Sequence, residues 1–324
     1  MKRHSFLIAA LAIAALPAGC PGEGAIKLSG NTGADKVLAV DAGTATEALA
    51  AGTTLKASQR ASSGWTKDYV HETAALTGDT TASIRRNDDG GVDLIVGDRI
   101  IVFTADDLLD GGFQLPDGSA GIFSMNYNSI VEALDEDNGE HSLGFDYYFN
   151  DEDGAGGRNS FAVIGTETAD SDIETLPTAT YSGYAYLRVG PREDFTSFGD
   201  VVLDAKGDLS MTANFGAGTV SGEVTDMERK FPSNVDPTRT WTPFTGALTL
   251  QTADIDGNGF TGAITSDAGF NANFGTVNSG STYSGTFFGP NAEQVGGGIN
   301  GTGMSVDGTP WIGIGLFQGY LPPS

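Results

Sequence analysis

A single short pattern constrains this chain most. An apolar or aromatic residue, then Ser or Thr, then Gly, recurs five times: Tyr181-Ser182-Gly183, Val220-Ser221-Gly222, Phe244-Thr245-Gly246, Phe260-Thr261-Gly262 and Tyr283-Ser284-Gly285. Each copy lies in a run of period two, the signature of a strand with one buried face. Val220, Gly222 and Val224 share one face, while Thr219, Ser221, Glu223 and Thr225 share the other. Phe244, Gly246, Leu248 and Leu250 repeat the arrangement, as do Phe260, Gly262 and Ile264, then Tyr283, Gly285 and Phe287. Glycine in an apolar strand face ordinarily weakens a sheet. Repeated in successive strands, it fits a small closed barrel, which must curve sharply and cannot hold a large side chain at every inward position. About eight strands fit between Ala179 and Gln318. The expected fold is all-β, with a C-terminal eight-stranded antiparallel β-barrel over residues 178–324.

The N-terminal part reads differently. Lys2, Arg3 and His4 precede the apolar run Phe6–Leu16, which has the length of a signal-peptide core and is short for a bilayer span. Residues 1–19 are therefore expected to be a signal peptide. Cys20, the sole cysteine, follows in "LPAGC", so no internal disulfide is available. Small residues before a lone cysteine at this boundary resemble a bacterial lipobox, although Pro17 stands where Leu is usual. Residues 20–78, rich in Ala, Gly, Thr and Ser, are expected to form the lipid anchor and a flexible tether. From about Thr80, strand-like runs alternate with turn signals such as Asp88-Asp89-Gly90-Gly91, and "FTADDLLDGG" has room for one helical turn. Leu143, Phe145, Tyr147 and Phe149 alternate with polar or small residues, so 79–170 reads as a smaller β-rich domain. "ETADSDIETLPT" separates it from the barrel.

Composition narrows the function. Acids number 42 against 17 bases, a formal net charge of −25, which excludes nucleic acid as an expected partner because phosphate binding needs clustered Lys and Arg. There is no G-x-S-x-G elbow and no H-E-x-x-H helix, so catalysis is not expected. A membrane-spanning barrel would turn apolar residues outward, whereas these outward faces carry Thr, Ser and Glu.

The stretch "TYSGTFFGPNAEQVGGGI" reads as a strand stopped by Gly289-Pro290, a helical turn over Asn291–Glu293, and re-entry at a crowded corner through Gly296, Gly297 and Gly298. Together with "DIDGNGFTGAIT", it resembles the C-terminal β-barrel domain of transferrin-binding protein B and related Slam-dependent surface lipoproteins. The family pattern falls on Asn258, Phe260 and Gly262, then on Gly285, Phe287, Phe288, Gly289, Pro290, Ala292, Glu293, Gly296 and Gly297. The resemblance covers residues about 178–320. It implies that these are structural residues, that the 79–170 domain is handle-like, and that the chain is a lipoprotein of a Gram-negative outer membrane. It further implies attachment at Cys20, exposure on the cell surface or toward the periplasm, and binding of a protein partner. That partner is expected to be a host or environmental protein, with an iron-related, transferrin-like one in view; haem or another small ligand is the alternative. One barrel is expected here, in place of the paired lobes of transferrin-binding protein B.

Specific ligand signals are few. His71 and His141 are the two histidines beyond the signal segment and the haem-ligand candidates, with Tyr147 and Tyr148 beside them. "DIDGNGF" begins like a calcium loop but has Thr265 where the bidentate acid belongs. "GNGFTG" matches a dinucleotide fingerprint only formally, because its second half reads as a strand. No metal and no resident cofactor are expected.

Overall fold

The computed structural model describes residues 54–66, 71–74, 82–87, 90–96, 99–109, 111–125, 141–150, 156–165, 167–191, 203–231 and 238–322. Cys20, the signal segment and most of the expected tether lie outside them.

The barrel is built from eight long strands: β11 (Ala179–Pro191), β12 (Leu203–Asn214), β13 (Thr219–Lys230), β15 (Leu248–Asp256), β16 (Gly259–Ser266), β18 (Thr282–Phe288), β19 (Gln294–Met304) and β20 (Pro310–Tyr320). Two short strands, β14 (Thr242–Pro243) and β17 (Thr276–Val277), pair along it. Every pairing is antiparallel, in the order β12-β11-β20-β19-β18-β16-β15-β13, and the β12–β13 pairing closes the ring.

The repeated glycines act as seats for rings on the neighbouring strand. Phe260 of β16 lies opposite Gly285 of β18, and Gly262 lies opposite Tyr283. A Cβ on Gly262 would sit 2.4 Å from the Tyr283 ring, and one on Gly285 would sit 2.4 Å from the Phe260 ring. The two strands thus exchange aromatic and glycine in a reciprocal pair. Gly297 does the same for Phe317, and Gly303 for Trp311. Tyr181, Phe215, Phe260, Tyr283, Phe287 and Phe317 together fill the interior. Asn258 explains another part of the motif: its side-chain amide donates to the Phe287 carbonyl at 3.0 Å and its side-chain oxygen accepts from the Phe287 N–H at 3.2 Å. The calcium-like segment is therefore a two-residue turn between paired Asp256 and Gly259, with Gly257 at φ 57°.

The expected run through Phe244-Thr245-Gly246 is not a strand. Pro243 ends β14, and the next residues turn beneath the helix Ala268–Phe274, where a Cβ on Gly246 would meet the Phe270 backbone at 2.5 Å. The residues Gly289–Ala292 form a β-turn, not a helical turn: the Ala292 N–H donates to the Gly289 carbonyl at 3.2 Å, with Gly289 at φ 85° and Ala292 at φ 55°. Nor do Gly296, Gly297 and Gly298 make a corner. They lie inside β19, which is covered on both faces: Gly297 inward against Phe317, and Gly296 outward against Val163 of the other domain.

That domain is a second antiparallel sheet. Its strands are β1 (Thr54–Thr66), β2 (His71–Ala74), β3 (Ala82–Arg86), β4 (Val92–Val96), β5 (Arg99–Phe103), β6 (Leu108–Leu109), β7 (Gly112–Gln114), β8 (Ala120–Ser124), β9 (Ser142–Asn150) and β10 (Gly156–Gly165). The order is β5-β4-β3-β1-β10-β9-β8-β7-β6, with β2 on β1. One core takes residues from both halves, including Ile84, Leu94, Phe103, Ile122, Phe145 and Tyr147, so the sheet curls back on itself. The short turn Ala105–Asp107 joins its two end strands, as "FTADDLLDGG" anticipated. The tether boundary at residue 78 moves: β1 and β2 fall inside it, and β1 pairs with both β3 and β10 at the centre of the sheet.

Candidate functional site

The two domains meet through the outer face of β20. Its inward positions hold Trp311 and Phe317, while Ile314 and Leu316 point outward to pack with Phe161 and Val163 of β10 and with Phe288. A polar chain crosses beside this patch. Gln318, fully buried, donates to the Ser142 hydroxyl at 2.9 Å; Ser142 in turn donates to Gln294 at 2.7 Å, and Tyr184 donates to Gln318 at 2.7 Å. The Thr168 hydroxyl donates to the Gly289 carbonyl at 2.6 Å. The linking helix Asp170–Ile173 buries Ile173 in the barrel core.

Further along β11, the alternation turns Tyr184, Tyr186 and Arg188 outward. Arg188 reaches Asp204 of β12 at 3.1 Å and Asp146 of β9 at 3.6 Å, and its guanidinium lies 5.2 Å from the centre of the Phe161 ring. Burial pushes the Asp146 carboxyl above its ordinary range, with Arg188 pulling the other way. Burial works against the charge of Arg188, but Asp204, Tyr186 and Asp146 outweigh it and its pKa goes up. Lys230 and Arg239 also approach Asp204, at 3.8 and 3.9 Å. Buried ions need such partners, because each one left alone costs several kcal/mol.

Beside this network lies a groove of about 630 Å³ between barrel and smaller domain. Met125, Tyr184 and Tyr186 give it an apolar and aromatic lining; Lys206, Asp208, Asp226 and Glu228 supply charge. Tyr186 packs between Phe161 at 5.5 Å and Trp241 at 6.1 Å. Lys206 pairs with Glu228 at 2.9 Å and lies 4.6 Å from the centre of the Trp241 ring. Asp226 sits at φ 47° in a bulge where Asp226 and Met227 face the single Gly207 of β12. The groove thus brings two tyrosines, a lysine and three carboxylates together, and the sequence alone did not single it out. Its only local signal was the period-two spacing of Tyr184, Tyr186 and Arg188.

The residues marked from sequence stand elsewhere. His141 is half-buried at the domain junction; its ring flanks Gly289 close to the Glu293 carboxylate, and its Nδ1 is buried without a hydrogen-bond partner. Glu293 resists burial through bonds from the Asn291 backbone at 2.9 Å and side chain at 2.8 Å, which leave its pKa lowered. His71 lies in β2. Tyr147 is core, stacked on Phe149 at 6.3 Å. The Tyr148 ring covers Gly121, its hydroxyl accepts from Gln114 at 2.5 Å, and burial pushes the phenol up to about 12. The structure does not bring His141, Tyr147 and Tyr148 into one site, and the His71 side chain lies outside the described ones. Among the described residues no three metal-ligating side chains cluster, and no helix is long and apolar enough to cross a membrane.

Residues 175–313 match the family model for the C-lobe and N-lobe beta barrels of Tf-binding protein B. No curated protein matches the chain. Among solved structures, it is similar to a double mutant of the vaccine antigen Transferrin Binding Protein B from Haemophilus parasuis Hp5, at 17% identity over 82% of this chain and 45% of that one, TM-score 0.43. It is also similar to the isotype 1 protein from serogroup B Neisseria meningitidis, at 15% identity over 82% and 44%, TM-score 0.40. A third is HpuA from Kingella denitrificans in complex with human haemoglobin, at 13% identity over 83% and 86%, TM-score 0.37. The chain spans about half the length of the two Transferrin Binding Protein B structures.

Proposed function

We propose that this chain, whose C-terminal barrel is of the transferrin-binding protein B family, is a binding protein and not a catalyst. In this reading it is a lipoprotein held at the outer membrane through Cys20, facing the cell surface, and it engages a protein partner of the iron-bearing host class. The family match over residues 175–313 carries the reading. Two further observations support it. The barrel interior is filled by its own aromatic side chains, which favours a partner held on the outside over a small ligand held within. The smaller domain is fixed to the barrel by a buried patch and a buried polar chain, which presents both as one rigid surface.

The test uses the mature protein isolated with its native N-terminus. Mass measurement is expected to show a diacylglycerol-modified Cys20, and Cys20→Ala to release the protein from membranes. The immobilised protein is then exposed separately to transferrin, haemoglobin and free haem. Saturable retention of one of the two proteins supports the reading. Binding of free haem alone, seen as a shifted Soret band, would replace it with the small-ligand alternative.

A further inference from the structure

We propose that the groove between β11–β13 and the smaller domain receives an arginine side chain from an extended segment of a partner protein. The inference rests on the protein-binding role above and assigns it a place.

The chemistry of the lining selects the occupant. Tyr184 and Tyr186 offer aromatic surface, and both rings are already immobilised: Tyr184 by its bond to Gln318 at 2.7 Å, Tyr186 between Phe161 and Trp241. Immobilised rings lose little entropy when a ligand stacks on them. Three carboxylates line the groove against one ammonium, and that ammonium, Lys206, is already held by Glu228 at 2.9 Å. Asp208 and Asp226 are exposed, and none of the ion pairs among the described residues includes them. Aromatic faces beside free carboxylates suit a guanidinium, which stacks on rings and pairs with carboxylates through a planar fork; a lysine ammonium does only the second well. An anion would meet Asp208, Asp226 and Glu228 with a single, occupied lysine to offset them.

The backbone at Asp226 points the same way. Its φ of 47° is a conformation that side-chain-bearing residues disfavour, and glycine is the usual occupant of such a bulge position. The bulge places Asp226 in the lining of the groove, at a position where glycine would fit the backbone at least as well.

The probe is a blocked pentapeptide of alternating glycine and arginine, titrated calorimetrically into the full mature chain at low ionic strength. Its citrulline counterpart removes the charge and keeps the shape. Asp208→Asn with Asp226→Gly is the test variant, since glycine accepts the bulge backbone and the fold is retained. Asp254→Asn with Asp256→Asn, two exposed acids at the far end of β15, removes the same charge elsewhere. The expected result is saturable arginine-peptide binding that weakens about tenfold in the test variant, changes less than about twofold in the control, and is lost with citrulline. Equal weakening in both variants, equal binding of citrulline, or no saturable binding overturns the proposal. If transferrin or haemoglobin binds the test variant as tightly as the wild type, the protein-binding role stands and the groove assignment falls.

Discussion

Gly262→Val places a branched side chain where the Tyr283 ring already lies. A Cβ there would be 2.4, 2.7 and 2.8 Å from Cε1, Cζ and the hydroxyl oxygen of Tyr283, against the 3.5–4.0 Å that carbon contacts prefer. The ring cannot withdraw easily. Its hydroxyl is bonded to the Gln251 carbonyl at 2.5 Å, and it packs against Phe260 at 5.9 Å and Phe317 at 6.3 Å. The expected loss is about 1–3 kcal/mol, the range for overpacking. Thr261→Val, one residue away and exposed, should shift stability by less than about 0.5 kcal/mol. The sharper test is a double-mutant cycle. Tyr283→Ala alone should cost about 3–5 kcal/mol through the cavity it leaves. With that ring gone, the valine occupies part of the cavity, so the double variant should be more stable than the summed single effects predict, by about 1–3 kcal/mol. Urea melts with a common slope measure all three. Additivity within about 0.5 kcal/mol, or equal losses at 261 and 262, would refute the ring-seat account.

Gln318→Leu should cost about 1–3 kcal/mol, because it removes the two buried hydrogen bonds that Gln318 makes with the Ser142 and Tyr184 hydroxyls; thermal melts of the full chain check this. The fragment 178–324 should melt cooperatively on its own but bind the dye ANS more strongly than the full chain, since Ile314 and Leu316 lose their cover; an unchanged dye signal would show the cover is dispensable. Asp267→Ala should cost about 1 kcal/mol at neutral pH, because its carboxylate caps the helix Ala268–Phe274 through the Phe270 N–H at 2.7 Å and also holds the Ala247 N–H at 3.1 Å. Those bonds lower its pKa, so its contribution is present above the ordinary aspartate value and fades as pH falls through the lowered one; denaturant melts against pH should show the gap closing in acid.

The barrel was legible because each strand repeats one buried face locally. Phe260, Gly262 and Ile264 carry their register in their own spacing. What failed depended on distant chain. β19 reads as glycine excess until the second domain is placed against Gly296. β1, "TLKASQRASSGWT", has no apolar alternation, and its place is set by pairing with β3 and β10 on either side. Phe244-Thr245-Gly246 matches the repeat in letters, but Pro243 and the helix that follows decide its path. The groove was illegible for the same reason: Met125 and the residues of β11, β12 and β13 that line it are distant in sequence and meet only in the fold. Within the motif, Asn258 and the glycines could be recognised as structural, while their individual duties needed the cross-strand register.

The order of strands also sets a schedule. Among the described strands β20 comes last in the sequence, yet it lies between β11 and β19 and carries Ile314 and Leu316 to the other domain. Until it is in place, the ring stays open with two unsatisfied edges, and the junction lacks one of its walls. Closure and docking therefore both wait for this one strand.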